Sequence, residues 1–145
     1  MVVYLGSATE VPLREWDDAK PSLHVTKIVA TGLEVVRRRL GSAFVHYVGS
    51  GTQCGCGFRQ ESALYVDWAE ADLDDMRDNA LNHAALAEYL RALPKTAYPL
   101  RLYSCWSGEE GERCAFEVEC GIGDLEGEDF VFRERQLTVI QSNQG

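Results

Sequence analysis

The sequence predicts a single α/β domain, residues 1–145, built on a mixed sheet of about five strands with a parallel β-α-β start, antiparallel C-terminal strands and two or more covering helices. Three observations predict it. Segments rich in β-formers alternate with helix-periodic segments in the order strand, helix, strand, helix, strand, which is the order of right-handed crossover units. Two late segments, 114–120 and 130–140, alternate apolar and polar residues with period two, as strands with one buried face do. The chain of 145 residues, 46% hydrophobic and 26% charged, has the size and composition of one globular domain, with no repeat and no dividing linker. At that length it can bury roughly 68–70% of its unfolded surface, so its core needs no disulfide scaffold and no structural metal.

Val2, Val3, Tyr4 and Leu5 form a β-rich run closed by Gly6 and Ser7, and give the first strand. Residues 9–21 read as irregular, with Pro12 and Pro21 on either side of Trp16, whose ring must pack on the core edge or form an exposed contact. Residues 24–29 fit either a strand or the lead-in to a helix. Thr31 and Glu34 match a capping box ahead of Leu33, Val36 and Leu40 at helical spacing, with Gly41 placed to stop the helix and Arg37, Arg38 and Arg39 complementing its dipole. Residues 43–48 give the second strand, and four glycines in residues 49–58 exclude any regular element there. A short strand is expected at 63–68. Residues 72–93 are helical in pattern, but the phase slips near Asn79 and Asn82, which predicts an acidic turn, a break, and a main helix capped by Asn82 and ended by Pro94, with His83 facing solvent. Residues 100–106 give the third strand. The two period-two segments follow, with Phe130, Phe132, Leu137 and Val139 expected to face inward, and residues 142–145 fray.

The formal net charge is −9, from 14 Lys and Arg against 23 Asp and Glu. This argues against attraction to phosphate backbones or anionic membranes, so nucleic acid is an unlikely partner. No apolar run approaches the ~20 residues of a membrane span, and no basic segment precedes an apolar one at the start, so the expected compartment is the cytoplasm. The charge is uneven. Residues 106–134 hold ten acids against Arg113 and Arg133, a local net of −8, and a smaller acidic cluster runs through 61–78. Such runs are commonly solvated surface; the functional alternative is an acidic face that docks a basic protein partner.

Five cysteines, an odd number in a chain expected to stay reduced, are candidates for thiols, metal ligands or redox groups. In a sheet with parallel crossovers, residues just past the strand ends share one rim where ligands bind. That rule gathers Ser7, Cys54, Cys56, Cys105 and Trp106 as a ligand-binding rim. Cys54-Gly55-Cys56 can place two sulfurs on one metal or exchange thiols with a disulfide, because glycine lets the backbone turn tightly between them. Cys54, Cys56 and Cys105, with His46 as a fourth ligand, would complete a tetrahedral set, for which zinc is the possible metal. The structural alternative is a tight glycine loop with small, half-buried cysteines, and Cys114 and Cys120, an even number apart on one strand, are expected only to pack. The glycines fit neither the dinucleotide fingerprint nor the P-loop, and no serine elbow is present.

The segments Tyr47-Val-Gly-Ser-Gly-Thr-Gln-Cys-Gly-Cys-Gly-Phe58 and Leu102-Tyr-Ser-Cys-Trp106 resemble a family of small uncharacterised bacterial proteins marked by a Cys-Gly-Cys-Gly-Phe segment. The resemblance spans most of the chain; it implies a cytosolic bacterial origin and one small domain, and it carries no activity. From the residues themselves, the expected function is a small binding module whose cysteine rim takes a soft metal or a thiol-reactive ligand. The alternatives are a thiol-dependent redox or cysteine enzyme and a protein-interaction domain using the acidic face.

Overall fold

Strand β1 (Val2–Ser7) lies near the middle of a six-stranded sheet whose other strands are β2 (His24–Lys27), β3 (Phe44–Gly49), β4 (Leu100–Cys105), β5 (Phe116–Cys120) and β6 (Gln136–Ile140), in the order β2-β3-β1-β4-β6-β5. Two helices, α1 (Ala30–Leu40) and α2 (Leu73–Arg91), accompany it. The computed structural model describes residues 1–19, 21–28, 30–60 and 73–142. The expected strand at 63–68 and most of the acidic cluster at 61–78 lie outside the described residues. The α/β class and the mixed sheet hold, with six strands in place of about five.

The parallel start does not hold. β1 and β3 are antiparallel, Val3 opposite Val48 and Ser7 opposite Phe44. The reason is β2, which occupies the segment that fitted either strand or helix lead-in. It exits at the end where β3 enters, with Lys27 opposite His46, so α1 links two antiparallel strands and is no crossover. A parallel crossover does follow: β3 and β4 are both antiparallel to β1, hence parallel to one another, with α2 between them in sequence and β1 between them in space. At the C-terminal end, β6 is antiparallel to β4, but β5 and β6 are parallel. Residues 121–135, which include a 3₁₀ turn at Ile122–Glu126, supply the dozen or more residues that a parallel return needs.

Alternation along the strands sends side chains to two cores. Val3 and Leu5 of β1, Val48 of β3, Leu100 and Leu102 of β4 and Ile140 of β6 pack against Leu86 and Leu90 of α2 and against Phe58, Leu125 and Phe132. Tyr4, Val45, Tyr103 and Cys105 on the opposite face meet Val36 and Leu40 of α1. Each fully buried Leu or Phe contributes roughly 1.5–3 kcal/mol, so both layers are held mainly by apolar burial. Phe132 is buried as expected, although it precedes β6 and its backbone pairs only with Gln60, in an isolated bridge outside the named strands.

Helix α1 ends as predicted. Gly41 sits at φ 61°, its N–H bonds the Arg37 carbonyl, and the Arg101 guanidinium donates to Leu40 O at 2.9 Å. Its start differs: the helix already includes Ala30 and Thr31, and the Glu34 carboxylate pairs with Arg37 at 2.8 Å, one turn on. Helix α2 is unbroken through Asn79 and Asn82. The phase slip has a tertiary cause, because Asn82 and His83 turn inward to polar partners. His83, expected in solvent, is fully buried.

Among the described residues, no helix is long and apolar enough to cross a membrane.

Candidate functional site

The ends of β3 and β4 and the start of β1 lie at one end of the sheet, with Val2 opposite Cys105 and Val3 opposite Val48. Chain direction therefore brings the Cys54-Gly55-Cys56 segment and Cys105 to the same end, and puts Met1 beside them. Ser7, at the far end of the antiparallel β1, is excluded from it. Its buried hydroxyl donates to Thr9 O at 2.7 Å. His46 is also excluded: it sits within β3 on the α2 face, opposite Leu5, with an unpartnered Nδ1 and a pKa lowered by burial.

The loop after β3 is held from inside. Ser50 Oγ donates to Cys54 O at 2.6 Å and accepts the Gly57 N–H at 3.1 Å. Asn82 of α2 accepts the Gly51 N–H at 3.0 Å and donates to Gly57 O at 2.9 Å, clamping both arms of the loop with one amide. Tyr47 Oη donates to Gln53 O at 3.2 Å, and Gln53 takes the left-handed φ of 73° that turns the chain toward Cys54. Three glycines of this segment are required by close approach, Gly55 because its Cβ would lie 2.7 Å from the Met1 carbonyl oxygen. A Cβ on Gly57 would lie 2.3 Å from Ser50 Oγ and 2.6 Å from Asn82 Nδ2, and a Cβ on Gly49 would lie 1.9 Å from His24 Cε1. Phe58 then buries its ring beneath the loop, against His83 and Phe132.

Cys54 caps the start of a 3₁₀ turn, Gly55–Gly57, that carries Cys56. Cys54, half-buried, accepts the Cys56 backbone N–H on its sulfur at 3.2 Å, and the Thr52 hydroxyl stands 3.6 Å away. The exposed Cys56 sulfur lies 3.9 Å from the Met1 amino group. Burial alone would raise the Cys54 pKa; hydrogen bonds from the Cys56 thiol, the Thr52 hydroxyl and the Cys56 amide, with the positive Met1 amine, outweigh it and hold the thiol below its ordinary value. Cys56 is pushed the other way, first because its thiol donates to Cys54 and then by burial. The pair therefore has one sulfur disposed to ionise and one disposed to hold its proton, the asymmetry that a nucleophilic thiol and its partner need.

Cys105 shares the end of the sheet but not the site. It is fully buried on the α1 face, and burial, followed by the charges of Glu110 and Glu109, pushes its thiol up to about 12. Trp106 beside it is 42% exposed, with its backbone N–H bonded to the Glu109 carboxylate. Among the described residues, no three His, Cys, Asp or Glu side chains converge where a metal could sit. The tetrahedral set of Cys54, Cys56, Cys105 and His46 is thus dispersed, because burial on two different faces separates His46 and Cys105 from the Cys54–Cys56 turn.

Several acids of the 106–134 stretch have structural partners. Glu110 accepts the Tyr4 hydroxyl at 2.8 Å, Asp124 caps the turn after β5 through the Gly121 N–H at 2.8 Å, and Glu126 pairs with Arg91 at 2.5 Å. Sequence reasoning missed Asn82 and Ser50 as the clamps of the thiol loop and His24 as its floor. Only the phase slip at Asn82 and the density of glycines pointed to them.

No family model, no curated protein and no solved structure matches this chain.

Proposed function

We propose that this chain is a small dithiol protein in which Cys54 and Cys56 capture thiol-reactive ligands by thiol–disulfide exchange. The observation that carries the reading is the Cys56 amide donating to the Cys54 sulfur at 3.2 Å on a loop clamped by Asn82 and Ser50. A sulfur that accepts hydrogen bonds is stabilised as the thiolate, and the thiolate is the attacking species.

The steps balance as follows. The Cys54 thiolate attacks one sulfur of an external disulfide; a Cys54–ligand disulfide forms and the other half leaves as a thiolate. Cys56 then loses its proton to solvent and attacks the Cys54 sulfur, which closes a Cys54–Cys56 disulfide and expels the second ligand thiolate. The protein dithiol is oxidised and the external disulfide is reduced to two thiols. Gly55 between the two cysteines lets the turn pack directly against the Met1 backbone, where a Cβ would lie 2.7 Å from the Met1 carbonyl oxygen.

Stopped-flow reaction of the reduced protein with an aromatic disulfide, followed by mass spectrometry, tests the reading. Wild type is expected to end as the Cys54–Cys56 disulfide, C56S as a stable mixed disulfide on Cys54, and C54S to react about tenfold more slowly. Equal rates for wild type and C54S would overturn it.

A further inference from the structure

We propose that Cys54 and Cys56 also form a two-coordinate site for a soft monovalent d¹⁰ cation, Cu(I) or Ag(I), and that the site discriminates against Zn(II). This rests on the donor count and is independent of exchange, with which it shares only the openness of the two sulfurs. The exposed Cys56 and half-buried Cys54 stand two residues apart on one turn, and the Cys56 N–H to Cys54 Sγ bond at 3.2 Å holds the Cys54 sulfur against the Cys56 backbone. A third protein ligand is missing among the described residues. Cys105 is buried on the α1 face and His46 lies on the opposite face of the sheet.

Ligand number then selects the metal. Structural zinc takes four protein ligands and catalytic zinc three, so two thiolates alone leave it under-coordinated in water. Thiolates bind Cu(I) as well as zinc, but a filled d shell with a single charge is satisfied by two sulfurs in a near-linear arrangement. Binding is no redox step: both thiol protons leave to solvent as two S–Cu bonds form. The resulting bis-thiolate complex carries one negative charge, and the Met1 amino group, 3.9 Å from Cys56 Sγ, lies where it offsets that charge.

Anaerobic titration of the reduced protein with Cu(I), in competition with a coloured Cu(I) chelator, tests the proposal, alongside Zn(II) with a coloured zinc chelator. Wild type is expected to withdraw about one equivalent of Cu(I) and to leave zinc with its chelator. C54S and C56S should each lose affinity by at least about 100-fold, since each removes half of the ligand set. C114S and H46N should bind as wild type does, and circular dichroism confirms that each variant is folded. Zinc held as firmly as copper, undiminished copper uptake by folded C54S, or no uptake by wild type would overturn the site. A protein that exchanges disulfides but takes no copper refutes this proposal alone; one that binds copper but does not exchange refutes the proposed function alone.

Discussion

Acid should destabilise this protein through His83. The ring is fully buried, and both nitrogens are engaged: Nε2 accepts the Arg59 backbone N–H at 2.8 Å and Nδ1 faces Leu125 O at 2.9 Å. Because the Arg59 amide can only donate, the neutral Nδ1–H tautomer is the form that satisfies both contacts. The ring stacks on Phe132 at 5.7 Å and meets the edges of Phe58 and Phe130 at 5.4 and 5.9 Å. Protonation would set an N–H against the Arg59 N–H inside an aromatic cage. Burial first, and then the Arg59 charge, lower the pKa from its ordinary 6.5 to about 4. A histidine lowered on folding contributes stability that is fully present above about pH 6.5 and is lost as the pH falls toward 4, where the unfolded chain binds the proton and the folded one does not. The full difference is about 3 kcal/mol, of which about 2 kcal/mol is gone by pH 5. Urea denaturation at pH 7, 6 and 5 measures it. His24 and His46 are lowered in the same direction, so the informative quantity is the difference between wild type and H83Q, whose amide oxygen can still accept the Arg59 N–H. Wild type should lose about 2 kcal/mol more than H83Q between pH 7 and 5. Equal losses would refute the assignment of this acid sensitivity to His83.

Three other outcomes are expected. Gly49→Ala forces a Cβ to within 1.9 Å of the His24 ring, and should cost about 1–3 kcal/mol by overpacking, read as a lower urea midpoint; unchanged stability would mean that the ring has room to move. Asn82→Ala removes both clamps from the thiol loop. It should cost about 1–3 kcal/mol and increase the hydrogen exchange of the Gly51 amide, with an unchanged exchange rate counting against the clamp. Tyr4→Phe deletes the hydroxyl that reaches Glu110 at 2.8 Å, and thermal unfolding should register a loss of about 1 kcal/mol.

The fold class was legible because it depends on local periodicity. β1, α1 and its Gly41 stop, β4 and β5 are visible in the spacing of apolar residues and in turn chemistry, while of the segment 130–140 only Gln136–Ile140 is strand, with Gln136, Thr138 and Ile140 buried where Leu137 and Val139 were expected to face inward. Strand direction was not legible, since it turns on four residues, His24 to Lys27, that read equally as strand or helix lead-in. Once β2 is a strand, β3 runs antiparallel to β1, and Ser7 moves from the candidate rim to the opposite end of the sheet. Cys54 and Cys56 survived that reversal because their placement depends on β3, β1 and β4 only, and they are also close in sequence. His46 and Cys105 failed as ligands for a reason that period-two alternation could have supplied: the register puts them on opposite faces of the sheet, both buried. The partners of His83 and Asn82 were hidden because they come from residues 50–59 and 125, and tertiary hydrogen bonds over such separations leave only a disturbance of helical phase in the sequence.

The most direct test of the account is site-resolved alkylation of the native protein with iodoacetamide from pH 6 to 10, quantified by peptide mass spectrometry for all five cysteines. Cys54 should label with a midpoint below that of a free cysteine, as hydrogen bonds to its sulfur require, and Cys105, buried and pushed up to about 12, should remain unlabelled. Cys54 titrating at or above the free-cysteine value, or labelling no faster than Cys114, would contradict a dithiol site organised around that sulfur.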